Sequence, residues 1–132
     1  MAFAKVSFKS LKEFVLQPQS ELAKVRAYLV QHDYHIIQED MVFDAGKFYP
    51  MMKVVNGQPS VYSEVELCYG KLLLEGKHPV LKAFLEKEAC IKHNILDNLE
   101  KENGSHIEIR KEEVKKELEG IKYALQRYYE GD

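Results

Sequence analysis

Apolar and polar positions follow two different rhythms along this chain, and the change falls near residue 60. Before it lie short runs of the kind that make strands. Phe14-Val15-Leu16 is halted by Gln17-Pro18, where a proline that cannot donate to a ladder ends the strand. Ser20 then reads as an N-cap and Glu21 as the acidic residue of a first turn. Leu22, Val25 and Leu29 follow at helical spacing, which predicts a helix over 21–31. Residues 35–43 and 48–55 return to strand-like composition, separated by the turn signal Asp44-Ala45-Gly46, and predict a β-hairpin. Pro50 inside the second run predicts an edge or a bulge there. Asn56-Gly57-Gln58-Pro59-Ser60 is a boundary loop.

From Ser63 the pattern is helical. Ser63 and Glu66 form a capping box for a helix running through Val65, Leu67 and Leu72 to Leu74, ended by Gly76. Pro79 suits the first turn of the next helix, which carries Phe84, Ile91, Ile95 and Leu99 on one side. Asn103-Gly104-Ser105 closes it. In the last helix Ile107, Val114, Leu118, Ile121, Leu125 and Tyr128 keep one seam facing a partner, as in a coiled coil. The two long helices are expected to form an antiparallel hairpin.

Composition narrows the function. With 19 basic and 21 acidic side chains the chain cannot coat nucleic acid through bulk charge, although a local basic face stays open. No apolar run approaches a membrane span, and the start lacks a signal peptide, so a cytoplasmic location is expected. Cys68 and Cys90 lack zinc-ligand spacing and the five histidines form no metal motif, so no metal is expected. Cys90, on a helix with no base beside it in sequence, reads as a small buried thiol. The seven glycines are scattered, without a phosphate-cradling loop.

Several short stretches, taken in order, resemble one family. Phe14-Val15-Leu16-Gln17-Pro18-Gln19-Ser20-Glu21 is similar to the LQP segment of bacterial tRNA (adenine(22)-N1)-methyltransferases. The run from Glu39-Asp40 to Gly46-Lys47-Phe48-Tyr49 resembles their E-D-x-x-x-x-x-G-K-x-Y hairpin. Tyr69-Gly70, Leu73 and His78-Pro79-Val80-Leu81-Lys82 resemble the opening of their helical tail. The resemblance implies an α+β chain: the end of a Rossmann-like methyltransferase sheet (a βα unit plus a β-hairpin) over 1–60, then an antiparallel helical hairpin or coiled coil over 61–132. It also implies that these residues are the carboxyl-terminal half of an enzyme moving a methyl group from S-adenosylmethionine to N1 of a tRNA adenine. The family's cofactor-binding strands and its G-M-G-G stretch do not map onto this chain, so no cofactor is expected on it alone, and the resemblance names no catalytic base among these residues.

By that resemblance Gln17, Pro18 and Gln19 border the target adenine, the amides reading a base edge; separately, Tyr49 and Phe48 in the hairpin offer aromatic faces on which a base can stack. Gln19 stands where the family usually has asparagine. Lys71, Lys77, His78 and Lys82 cluster around the entry to the long helices, and Arg127 belongs to a second basic set with Lys111, Lys115, Lys116 and Lys122. These are candidate tRNA phosphate contacts, although interleaved glutamates also suit helical ion pairing. The alternative function is a non-catalytic RNA-binding or dimerisation module. There the exposed edge of the Phe14 strand or the helical seam joins a second copy into a homodimer.

Overall fold

The structure, a computed structural model, describes residues 13–130. Its elements run β1 (Glu13–Leu16), α1 (Leu22–Gln31), β2 (Tyr34–Asp44), β3 (Lys47–Asn56), α2 (Glu64–Tyr69), α3 (Lys71–Glu75), α4 (Pro79–Leu99) and α5 (Ser105–Tyr129). Contacts divide the chain into two compact units after Val80. The loop following β3 therefore lies inside the first unit, together with α2 and α3.

In the first unit the strands form one sheet of order β1-β3-β2, antiparallel at both junctions. The hairpin closes through Ala45 (φ 49°) and Gly46 (φ 80°), both in the left-handed region that a tight two-residue turn demands. Val25 and Leu29 of α1 pack with Ile36, Met52 and Val54 on one sheet face, and Phe14, Leu16, Tyr34, Tyr62 and Leu72 surround them. Each such side chain contributes about 1.5–3 kcal/mol on burial.

Three local expectations change. Helix α1 starts at Leu22, not Glu21, and Ser20 is not its cap. Glu21 occupies the cap position at φ 54° without a side-chain cap bond, and its carboxylate pairs instead with Lys24 at 3.1 Å. Pro50 is paired with Met41 in the central strand, yet β1 reaches only to Met52, so its missing N–H faces a stretch that β1 leaves unpaired. The bulge sits elsewhere, at Ile37 of β2, between the pairs Ile36–Val54 and Gln38–Lys53.

The expected single helix from Ser63 to Leu74 is two helices. The capping box at its start is present in full: the Glu66 amide donates to Ser63 Oγ at 3.2 Å and the Ser63 amide to Glu66 Oε1 at 2.8 Å. The break comes at Gly70, whose φ of 99° does not continue an α-helix.

In the second unit α4 and α5 run antiparallel. The ion pairs Lys92–Glu117 (3.4 Å) and Lys111–Glu100 (3.8 Å) join them with residue numbers rising on one helix as they fall on the other. On α5, Val114, Leu118, Ile121 and Ala124 are buried, while Ile107, Leu125 and Tyr128 are half-buried. Lys111 fills the gap in the predicted seam, only 8% exposed, its head reaching Glu108 at 3.1 Å as well as Glu100. A long aliphatic stem can lie on an apolar seam while its ammonium stays at the rim. On α4 the buried positions are Leu81 and Leu85; Phe84, Ile95 and Leu99 are half-buried, and Ile91 is 39% exposed. The buried row therefore runs through Leu81 and Leu85, one position beside Phe84, and Ile91 drops off it. Cys90 is exposed, contrary to its reading as a buried thiol, because the same face turns outward.

Candidate functional site

The Ile37 bulge decides what the sheet presents to each side. Strand residues alternate between faces, so one extra residue reverses the phase beyond it. Ile36 points into the core; after the bulge Glu39 and Met41 do so, and Gln38 and Asp40 point outward with Lys53 and Met51. The Glu39 side chain is thereby fully buried, and it meets Arg26 of α1, itself 1% exposed, at 2.9 Å.

This pair ties α2 and α3 to the sheet and to α1. Arg26 Nε and Nη2 both reach Glu39 Oε1 at 2.9 Å, and Arg26 Nη1 donates to the carbonyls of Leu67 (2.8 Å) and Cys68 (3.1 Å). Glu39 Oε2 accepts the backbone N–H of Leu72 at 3.1 Å. The last carbonyls of α2 and an early amide of α3 are thus satisfied by side chains rather than by a continuing helix. A Cβ on Gly70 would stand 2.9 Å from Glu39 Oε1 and 3.0 Å from Arg26 Nη2, so glycine alone lets the backbone pass. Tyr62 lies close by; burial, and secondarily the Glu39 charge, push its hydroxyl up to about 12. Sequence reading missed this knot. Its signal was two charges on otherwise apolar faces, Arg26 beside Val25 and Leu29, and Glu39 between Ile36 and Met41.

Asp40 turns outward and takes a second partner. Its Oδ1 accepts the Met41 N–H at 2.8 Å and lies 2.7 Å from His78 Nε2. Both contacts hold its carboxyl below the ordinary 3.8, the Met41 amide more than His78. His78 Nδ1 accepts the Val80 N–H at 3.2 Å, which assigns the ring proton to Nε2 and makes His78 the side-chain cap of α4.

The candidate residues divide into three places. Gln17 and Gln19 are exposed and Pro18 half-buried in the segment leaving β1. Register runs from Glu13 opposite Val55 to Leu16 opposite Met52, so that segment departs at the end of the sheet where β3 carries Tyr49, paired with Val42. Topology brings these four to one end of the sheet. Lys71 is engaged locally: its ammonium donates to the Val61 carbonyl at 2.8 Å and lies 5.5 Å from the centre of the Tyr62 ring. Lys77 is exposed in the turn after α3, next to His78. In the second unit Lys82 and Arg127 are both exposed, and the antiparallel register sets them at the same end of the helix pair. Many charges on α5 are ion-paired along the helix, Arg110 with Glu113 and Lys115 with Glu112 among them.

The junction from β1 to α1 is Gln17-Pro18-Gln19-Ser20-Glu21, without glycine and with a carboxylate at the helix start. A cavity of about 280 Å³ lined by Val15, Gln38, Glu39, Asp40, Met51, Met52 and Lys53 lies in mid-sheet, away from the strand ends. Among the described residues no three His, Cys, Asp or Glu side chains group as a metal site, and no helix is long and apolar enough to cross a membrane.

Solved structures with the same architecture define the class of fold. A protein of the NADB-Rossmann superfamily from Streptococcus agalactiae shares 23% identity, covering 89% of this chain and 49% of its own, with a TM-score of 0.78. Sp1610 of Streptococcus pneumoniae, a putative tRNA (m1A22) methyltransferase in complex with S-adenosyl-L-methionine, shares 24% identity over 89% of this chain and 49% of its own (TM-score 0.75). TrmK of M. capricolum, in complex with S-adenosyl-homocysteine, shares 17% over 91% and 51% (TM-score 0.78). The chain thus shares its α+β fold with these structures and spans about half of their length. A family model for tRNA (adenine(22)-N(1))-methyltransferase, TrmK, matches residues 1–123, and the chain belongs to that family. A search of curated proteins found no match.

Proposed function

We propose that this chain is the substrate-placing, carboxyl-terminal part of an S-adenosylmethionine-dependent tRNA (adenine-N1) methyltransferase. The family match over residues 1–123 carries the reading. The glycine-free junction from β1 to α1, with Glu21 at the helix start, supports assigning donor binding to other parts of the enzyme. Gln17, Gln19 and Tyr49 then approach the target base at the end of the sheet, holding it in line for attack by its N1. The α4–α5 hairpin serves as a coiled-coil arm, with Lys82 and Arg127 at one end against tRNA phosphates and Lys77 and His78 near the start of α4. Such an enzyme works on tRNA in the cytoplasm.

Titrating the purified chain with tRNA tests this. Expected is a mobility shift that weakens steeply with salt and weakens further when Lys82 and Arg127 are both changed to glutamate. Absence of a shift at low salt overturns the placement role.

A further inference from the structure

The hairpin outruns β1. That strand ends at Leu16, opposite Met52, so residues 47–51 of β3 and their partners on β2 continue past it as a two-stranded arm, about 17 Å long at the usual strand rise. β1 and β2 both run antiparallel to β3 and hence parallel to each other. The arm therefore points to the end of the sheet where Gln17-Pro18-Gln19 leaves β1. Along one face of the hairpin the cross-strand pairs are Ile36–Val54, Glu39–Met52, Met41–Pro50 and Phe43–Phe48. The side chains of the first three pairs are buried. The fourth shares their facing, yet Phe43 is 54% exposed and Phe48 half-buried, with ring centres 4.7 Å apart and planes tilted by 53°. A row that serves as core in the body of the unit thus runs out into solvent at the tip. Lys47 and Asp44 face each other across the turn, so charge neither draws nor repels a partner there. What the tip offers is a flat aromatic surface.

We infer that the Phe43–Phe48 pair is a stacking wedge for RNA, taking the face of the nucleobase left without a neighbour when the target adenine is drawn out of its stack. This deepens the functional reading above and rests on it. N1 of adenine lies on the pairing edge of the base. An enzyme that reaches it needs the base unpaired and turned out, and the gap left behind costs unstacking energy. Proteins that open a base step do so with inserted apolar or aromatic side chains. Three observations select this pair for that work. The arm is continuous with the end of the sheet that carries Gln17 and Gln19. Tyr49, paired with Val42, lies on the opposite face of the same arm, so one ribbon separates the target base from the stack it left. The ribbon is also stiff, two laddered strands closed by the tight turn at Ala45 and Gly46, which holds the rings out at the tip. The occupant is a base because aromatic stacking needs a flat π-face and no charge, and every base has one.

The experiment mixes the intact chain with a tRNA carrying 2-aminopurine at position 22, the nucleotide named by the family, whose emission rises when the base leaves its stack. Expected on binding is a clear rise. Phe43→Ala should cut that rise by at least about threefold and weaken the gel shift about fivefold or more, the cost of one lost base stack. Phe43→Tyr keeps the ring and should retain both. With ring-labelled phenylalanine, the Phe43 resonances of the unaltered chain should move upfield as RNA binds, a readout independent of how any variant folds. The inference is overturned by a gel shift without a rise, a rise indifferent to Phe43→Ala, a loss shared equally by Phe43→Tyr, or unmoved Phe43 resonances. Self-association of the chain that Phe43→Ala dissolves also overturns it, since the rings would then face a second copy. Each of these leaves the functional reading standing. Absence of any gel shift at low salt defeats that reading, and the wedge with it.

Discussion

The two units solve the same problem, how to hold a small set of elements in one arrangement, with opposite uses of charge. In the sheet unit the decisive contact is ionic and buried: Arg26 and Glu39 sit inside, and their remaining hydrogen-bonding capacity ties α1, β2, α2 and α3 together. In the helical unit the interior is an apolar seam, and the one lysine in it, Lys111, keeps its ammonium at the rim among Glu100 and Glu108. A buried ion pair adds little over apolar packing, yet removing one partner strands the other charge. The first unit is therefore specified tightly and is fragile at one point. The second spreads its stability along a row of interchangeable contacts.

Breaking the knot should give the largest effect. Arg26→Met leaves Glu39 charged and buried and should cost about 3–5 kcal/mol in urea unfolding. Adding Glu39→Met should recover only part, since the Leu72 amide and the Leu67 and Cys68 carbonyls still lack their partners.

Gly70→Ala comes next. A methyl at φ 99°, within 2.9 Å of Glu39 Oε1, should cost about 1–3 kcal/mol by the same assay.

A smaller effect is tied to pH. The Asp40 carboxyl is held below its ordinary 3.8, so its contribution is complete above that value and is lost as pH falls through the lowered one. Urea midpoints measured from pH 5 downward should show the gap between the protein and Asp40→Asn closing on acidification, roughly below pH 4. A gap independent of pH would show that the His78 and Met41 contacts do not favour the carboxylate.

Lys111→Met sharpens the comparison from the other side. It keeps the stem in the seam and removes only rim ion pairs, so its melting temperature should move least of the set. A loss as large as that of Arg26→Met would mean that the helical unit also depends on a charge.

Much of the fold was legible in the order of residue types. Gln17-Pro18 ended β1, Asp44-Ala45-Gly46 turned the hairpin, Ser63 and Glu66 formed their box, and Pro79 opened α4. These are local events, decided within a few residues by backbone geometry. The misreadings share one cause. Helical spacing through Val65, Leu67 and Leu72 was real, but a carboxylate 33 residues away claimed the Leu72 amide and broke the helix at Gly70. The seam of α4 was drawn through Ile91 because spacing alone does not choose between adjacent faces. Of the candidate site, Gln17, Pro18 and Gln19 are adjacent in sequence while Tyr49 lies far from them, and the strand register brings all four to the same end of the sheet.

The chain's own order of residues determined which segments become strands or helices, where turns and caps fall, and to which family it belongs, because these depend on neighbours and on motifs. Tertiary structure alone decided that a bulge turns Glu39 inward, that Arg26 waits for it, and that one helix becomes two. The reason is that a buried charge must find its counter-charge, and for Glu39 that partner, Arg26, lies on another element of the fold.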